Sequence, residues 1–169
     1  VGSVAVALLA KLGYDVVASS GKAEKDDYLK SLGAGSVISR ADLSEENKRP
    51  MAAETWAHGI DTVGGEILSN VIKGLKYNGS VAICGLVASP AFSTTVLPFI
   101  LRNVNVLGVD SVELPLAKKQ EIWHRLATDL KPDALDKMTT EVTLDGLSDV
   151  IDSIIQGGVS GRTLVKLDD

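Results

Sequence analysis

Val1-Gly2-Ser3-Val4-Ala5-Val6-Ala7-Leu8-Leu9-Ala10-Lys11-Leu12-Gly13-Tyr14-Asp15-Val16-Val17-Ala18-Ser19-Ser20 is the stretch whose reading decides the fold. Gly2 stands where a tight turn would enter a helix. Val1 to Leu12 are small and apolar, suited to a helix packed closely on a sheet. Gly13 supplies the left-handed residue that ends it. Asp15 to Ser19 then read as a short β-branched strand. A glycine-led helix running straight into a strand is the second half of a strand–helix–strand unit. The strand and first glycines that open such a unit are expected ahead of Val1.

The same alternation continues. The pattern predicts a helix over Lys25 to Leu32 stopped by Gly33, and a strand at Ser36-Val37-Ile38-Ser39. Leu43 to Ala57 is charged and reads as partly helical. A strand over Gly59 to Val63 ends at Gly64-Gly65, a helix covers Glu66 to Leu75, and a strand runs from Gly79 to Cys84. Pro98 to Arg102 reads as a helical turn, and Asn103 to Ser111 contains a strand. Pro115 to Leu130 carries Ile122, Trp123, Leu126 and Leu130 at helical spacing. Met138 to Leu144, Leu147 to Gln156 and Gly161 to Leu167 read as strand, helix and strand. Short connections between alternating elements mean an α/β protein with a doubly wound parallel sheet, here expected to lack its first strand. The expected order is 3-2-1-4-5-6, in which strand 1 is central. Without it, the strands Asp15–Ser19 and Ile60–Val63 would flank a gap. A strand ahead of Val1, or one donated by another chain, is the expected filler.

In such sheets a dinucleotide lies beyond the carboxyl ends of the strands. Gly2, Ser3 and Val4 open the first helix, where amides and the helix dipole suit a pyrophosphate. About twenty positions past the glycine turn, the chain meets the adenosine ribose. That point is Lys22, in the run Ser19-Ser20-Gly21-Lys22, which holds no acid. NAD would find no carboxylate for its ribose hydroxyls, whereas Ser20, Gly21 and Lys22 suit a 2′-phosphate. The run is equally the composition of an ordinary polar turn. Arg40, at the end of the next strand, suits adenine stacking or the same phosphate, and suits a solvated loop as well. The other strand ends are Thr62-Val63, Cys84-Gly85-Leu86 and Val109-Asp110-Ser111.

Composition bounds the rest. The chain has 169 residues, 45% hydrophobic, with a net charge of −5. That is enough for one core, and no basic stripe with aromatics points to nucleic acid. Cys84 is the single cysteine, which fits a reducing, cytoplasmic setting. No apolar run is long enough to cross a bilayer. His58 and His124 are far apart and read as surface or helix residues. Cys84 reads as a small buried filler, Asp61 as a cap on local amides, and Trp56 and Trp123 as packing residues. No Cys, His or carboxylate cluster has zinc-ligand spacing.

Val-Gly-Ser-Val-Ala, Ser-Gly-Lys, Asp-Thr-Val-Gly-Gly and Cys-Gly-Leu join three further runs: Pro98-Phe99-Ile100-Leu101-Arg102-Asn103-Val104, Gly108-Val109-Asp110-Ser111 and Gly161-Arg162-Thr163-Leu164-Val165. Over nearly its whole length the chain resembles the medium-chain dehydrogenase/reductase superfamily. Within it, the chain looks like the zinc-free quinone oxidoreductase branch, subfamily of the acrylyl-CoA reductases. The resemblance implies a Rossmann-type NADP-binding domain over residues 1–137. It implies that residues 138–169 return to a GroES-like catalytic domain lying ahead of this chain. It also implies hydride transfer from NADPH to an activated C=C or a quinone, no metal, and a homodimer paired along Val104 to Val109. Arg162 joins the implied cofactor set. Lys22 stands where the subfamily often has Arg, keeping the charge without the bidentate fork. A catalytically silent NADPH-binding or regulatory domain, a methyltransferase-type domain and a zinc-dependent alcohol dehydrogenase relative are the alternatives.

Overall fold

The computed structural model describes residues 1–167. The elements alternate as follows: α1 (Gly2–Lys11), β1 (Val17–Ser20), α2 (Asp26–Ser31), β2 (Ser36–Ser39), α3 (Arg40–Ser44), β3 (Trp56–Asp61), α4 (Gly65–Lys73), β4 (Leu75–Ile83), α5 (Leu97–Arg102), β5 (Asn105–Gly108), α6 (Leu116–Ala127), β6 (Thr139–Thr143), α7 (Leu147–Ile155) and β7 (Arg162–Lys166). Short 3₁₀ turns at Ala23–Lys25 and Asp136–Met138 precede α2 and β6. The chain is α/β, and its strands form three sheets: β1-β2, β3-β4-β5 and β6-β7. The ladders of the second and third are parallel. Pairs β2-β1 and β3-β4-β5 correspond to the two flanks of the 3-2-1-4-5-6 order. Among the described residues no ladder joins β1 to β3, so those strands do not close on each other.

Several boundaries moved for local reasons. The first strand begins two residues later than its pattern suggested. Gly13 (φ +83°) turns the chain back, and the amides of Gly13 and Tyr14 bond Ala10 O and Leu9 O at 2.9 and 3.0 Å. Asp15 and Val16 are therefore spent in the exit from α1. The helix expected over Lys25 to Leu32 is split into a 3₁₀ turn and α2. The fourth strand takes in Leu75, which had been read as the end of a helix.

The largest correction is the segment Leu43 to Ala57. Helix is confined to α3, whose cap is Ser39, its Oγ accepting the Ala41 amide at 3.2 Å. Beyond it, side chains from other elements take the carbonyls a helix would have used. Asn70 Nδ2 donates to Leu43 O and Glu45 O at 2.8 and 2.7 Å. Lys73 Nζ donates to Asn47 O at 2.6 Å, and Arg102 Nη2 to Ala52 O at 2.8 Å. Pro50 further prevents a continuous ladder. Arg102 also donates through Nη1 to Lys73 O and Leu75 O at 3.0 and 3.2 Å. The planar guanidinium thus stitches the end of α4, the start of β4 and the irregular segment together.

Two compact units result. One comprises Ser19–Asp26 and Val37–Glu121. Its core is Leu68, Ile72, Leu75, Val81 and Val104, with Trp56, Val71, Phe99 and Val106 packed around them. The other comprises Val1–Ala18, Asp27–Ser36 and the stretch from Ile122 onward. It buries Val6, Ala7, Val16, Ala18, Leu32, Ala34 and Met138. Gly33 (φ +105°) belongs to this unit, and any Cβ there would lie 2.5 Å from Ala10 Cβ, so helix α1 requires a glycine beside it. Parallel strands β6 and β7 are joined by α7, as a parallel pair needs a crossover. Trp123, expected to pack, is 68% exposed, because α6 buries none of its residues.

Ile72 is fully buried at the centre of its cluster. Ile72→Ala is expected to cost about 2–5 kcal/mol of stability, read from urea unfolding. An equally apolar loss at Ile122, which is 48% exposed, should cost much less.

Candidate functional site

The loop after β1 is closed by its own serine. The Lys22 amide donates to Ser20 Oγ at 3.0 Å, and Ser20 Oγ donates to Lys22 O at 3.2 Å. This double bond holds Gly21 at the tip, flanked by Ser20 and Lys22. Arg40 is the first residue of α3 rather than the last of a strand. Its guanidinium lies against the Gly21 backbone: a Cβ built on Gly21 would be 3.5 Å from Arg40 Cζ and 3.6 Å from Nε and Nη1. Ser20, Gly21, Lys22 and Arg40 are therefore brought together, two of them cations. No acidic side chain stands in the loop itself. Among the described residues, no ion pair engages Arg40. An anionic oxygen placed here meets a guanidinium, a hydroxyl and glycine amide geometry, without a carboxylate to repel it.

The ends of β3, β4 and β5 form a second group in the same unit. Asp61 is buried, and its Oδ2 accepts the amides of Val63 and Gly64 at 3.2 and 2.8 Å. It is the cap its position suggested. Thr62 and Val63 lie just past the strand, with Val63 O accepting the Ala88 amide at 2.9 Å. Gly64 bridges Ser89, and a Cβ on Gly64 would lie 2.2 Å from Ser89 O. Gly85 presses equally close on the neighbouring turn, where a Cβ would lie 2.3 Å from Thr62 O. Beyond these turns opens a cleft of about 480 Å³ lined by Ile83, Cys84, Gly85, Leu86, Gly108, Val109 and Asp110.

Cys84 corrects one expectation. It is exposed in this cleft rather than a buried filler, because the strand ends at Ile83 and its thiol turns outward, donating to Asp61 O at 3.4 Å. Asp110 Oδ1 accepts the amides of Val112 and Glu113 at 2.8 and 3.2 Å, so its carboxylate is occupied in shaping the turn. Ser111 follows in that turn. The walls offered to a ligand are backbone, thiol and the exposed apolar side chains of Leu86 and Val109. His58 is exposed on β3, its Nδ1 2.9 Å from Ser80 Oγ. No cluster of three His, Cys, Asp or Glu suited to a metal occurs among the described residues.

Gly2, Ser3, Val4 and Arg162 belong to the other compact unit. Gly2, Ser3 and Val4 form the first turn of α1, and the first intrahelical bond runs from the Ala5 amide to Val1 O at 3.0 Å. Amides ahead of Ala5 have no carbonyl within the helix to bond. Ser3 Oγ accepts a hydrogen bond from Tyr28 of α2 at 3.1 Å, a contact that no spacing in the sequence announced. Arg162 is exposed on β7, opposite Thr139 in the β6-β7 register.

The chain has close relatives of known kind. The family model described as zinc-binding dehydrogenase matches residues 1–130. Acrylyl-CoA reductase AcuI of Ruegeria pomeroyi is 45% identical over 167 residues, covering 99% of this chain and 51% of that protein. Among solved structures, YhdH of E. coli K-12 with bound NADPH superposes with a TM-score of 0.92 at 45% identity, covering 99% of this chain and 51% of that one. Bacillus subtilis yhfP with NAD bound gives a TM-score of 0.94 at 42% identity, covering 98% and 51%. The chain thus spans about half the length of the relatives it matches. The family matches most of the chain, and the relatives match nearly all of it. The chain therefore belongs to the zinc-binding dehydrogenase family of medium-chain dehydrogenases/reductases, in the branch of acrylyl-CoA reductase AcuI and the quinone oxidoreductase-like YhfP.

Proposed function

We propose that this chain is the NADPH-binding half of an oxidoreductase that reduces an activated C=C, such as an acrylyl-CoA-like enoyl thioester, or a quinone. The observation that carries the reading is the seating of Arg40 on Gly21, beside Lys22, at a strand end with no acid. Such a corner favours a 2′-phosphate over a bare ribose, because a charge-assisted bond is about twice as strong as a neutral one. When bound, NADPH supplies the hydride; this chain's own residues hold and orient it. Ser20, Gly21, Lys22 and Arg40 take the 2′-phosphate and adenine. Gly2, Ser3 and Val4 take the pyrophosphate on helix-dipole grounds. Thr62, Val63, Cys84, Gly85, Leu86, Val109, Asp110 and Ser111 line the path toward the nicotinamide, and Arg162 completes the set.

In this reading residues 1–137 are the NADP-binding domain. Residues 138–169 return to a catalytic domain that supplies the proton donor and most acceptor contacts. Asp168 and Asp169 of that segment lie outside the described residues. The intact protein works in the cytoplasm without a metal and without nucleic acid. It is a homodimer paired along β5, which is an edge strand here. The run Asn105 to Val109 carries no charge, and an uncharged edge is a hazard unless covered. Among the described residues, no helix is long and apolar enough to cross a membrane.

Lys22→Ala and Arg40→Ala in the intact protein should each weaken NADPH by about 1.5–3 kcal/mol, with little change for NADH. Fluorescence titration with both cofactors checks this, and equal wild-type affinity for the two would sink the 2′-phosphate assignment. With NADPH supplied, turnover of acrylyl-CoA and of a quinone measured side by side identifies the acceptor class, and activity on neither removes the reductase reading. The chain by itself should reduce neither. Light scattering of the intact protein should report a dimer; a clean monomer at high concentration would contradict pairing along β5.

A further inference from the structure

We infer that Tyr28 is a positioning residue for the cofactor pyrophosphate, acting through Ser3; this rests on the reading of the first turn of α1 as a pyrophosphate site. The Tyr28 hydroxyl donates to Ser3 Oγ at 3.1 Å, joining α2 to the opening turn of α1 across 25 residues of sequence. A serine hydroxyl has one hydrogen to donate and two lone pairs to accept with. Once a lone pair is committed to Tyr28, the hydrogen is turned away from Tyr28. Among the described residues it reaches no acceptor. It stands in the same turn as the amides of Gly2, Ser3 and Val4, which lack intrahelical partners. A phosphate oxygen held by those amides is the acceptor that this donor geometry suits.

The Tyr28 hydroxyl is itself held in place. Gly161 lies beside it: a Cβ there would be 3.2 Å from the Tyr28 hydroxyl oxygen and 2.3 Å from Met138 O. Gly161 also has φ +77°, a conformation that favours glycine. The backbone before β7 therefore forms a seat that only glycine can make. This accounts for the glycine of the Gly-Arg-Thr-Leu-Val run, which no cofactor contact requires. Ser3 alone, with a freely rotating hydroxyl, would divide its hydrogen between ligand and solvent. Tyr28 removes that choice before the ligand arrives, and preorganisation of this kind raises affinity without adding a contact.

The test is a double-mutant cycle in the intact protein, with NADPH, NADH and adenosine 2′-monophosphate as probes. Tyr28→Phe keeps the ring and removes only the donor. It should weaken NADPH and NADH by the same factor, about three- to tenfold, as for one misdirected hydrogen bond to a charged group. The ratio between the two cofactors should not move, since both carry the pyrophosphate, and adenosine 2′-monophosphate, which lacks it, should bind as before. In a Ser3→Ala background Tyr28→Phe should have no further effect on either dinucleotide. Thermal unfolding of Tyr28→Phe should match wild type. An unchanged NADPH affinity in Tyr28→Phe overturns the inference while leaving the cofactor assignment intact. A loss that persists in the Ser3→Ala background, or extends to adenosine 2′-monophosphate, shows that Tyr28 acts by packing and also overturns it. Wild-type protein that binds no dinucleotide overturns the inference together with the reading beneath it.

Discussion

Two parallel strands leave the sheet side by side, and their turns can lie together only where side chains are missing. Gly85 rides on the Thr62 carbonyl and Gly64 on the Ser89 carbonyl, each closer than any Cβ allows. The Asp61 carboxylate closes this junction from inside by taking the two amides that follow β3. A buried carboxylate is costly unless it is bonded, and two amide donors supply what water would have supplied. With the junction closed, α4 starts where it must, the loop from Ala88 to Ser93 is laid across it, and the cleft edge is backbone rather than side chain. Ser69, fully buried on α4, extends the same clamp by accepting the Ser93 amide at 3.1 Å.

A second constraint acts at the other end of α4. The segment between α3 and β3 has almost no ladder of its own, so its carbonyls need partners from elsewhere. Asn70, Lys73 and Arg102 provide them. Arg102 also pairs with Glu54 at 3.4 Å, and Glu54 Oε2 accepts the Tyr77 amide at 3.0 Å. The Pro-Phe-Ile-Leu-Arg-Asn-Val run, which served as a family marker, thus has a structural explanation. Its proline is buried, its arginine stitches three backbones, and its asparagine ends α5 in the left-handed region (φ +49°) while donating to Asn78 Oδ1 at 2.8 Å. None of these residues belongs to the candidate site; they keep β4 and β5 where their ends can form it.

The chemistry of the site follows from what the corner after β1 omits as much as from what it holds. A ribose-binding carboxylate would oppose a 2′-phosphate, and a cationic pair favours it. The two cations differ in use. Arg40 presents a flat guanidinium already resting on glycine backbone, so little further ordering is needed on binding. Lys22 presents a point charge on a flexible stem. Solved relatives of similar identity carry NADPH in one case and NAD in another. Discrimination at this corner is therefore a matter of a few side chains on a shared fold, which agrees with how little of the backbone is involved in it.

The sequence by itself determined the features whose partners lie within a few residues. Gly13 and Gly33 end their helices, Ser36 to Ser39 form a strand with the boundaries read for it, Asp61 caps the amides two and three residues on, and the glycine-led helix enters a strand. Hydrophobic period and turn chemistry act over such distances, so they can be read directly. Tertiary structure decided the rest. Only the fold shows that Arg40 rests on Gly21, that Tyr28 reaches Ser3, that Leu75 joins a strand and that the segment after Ser44 is not a helix. Each of these is set by a donor or a packing surface far away along the chain. A local pattern weighs a residue against its neighbours and cannot register a guanidinium, amide or hydroxyl that arrives from another element to claim the backbone first.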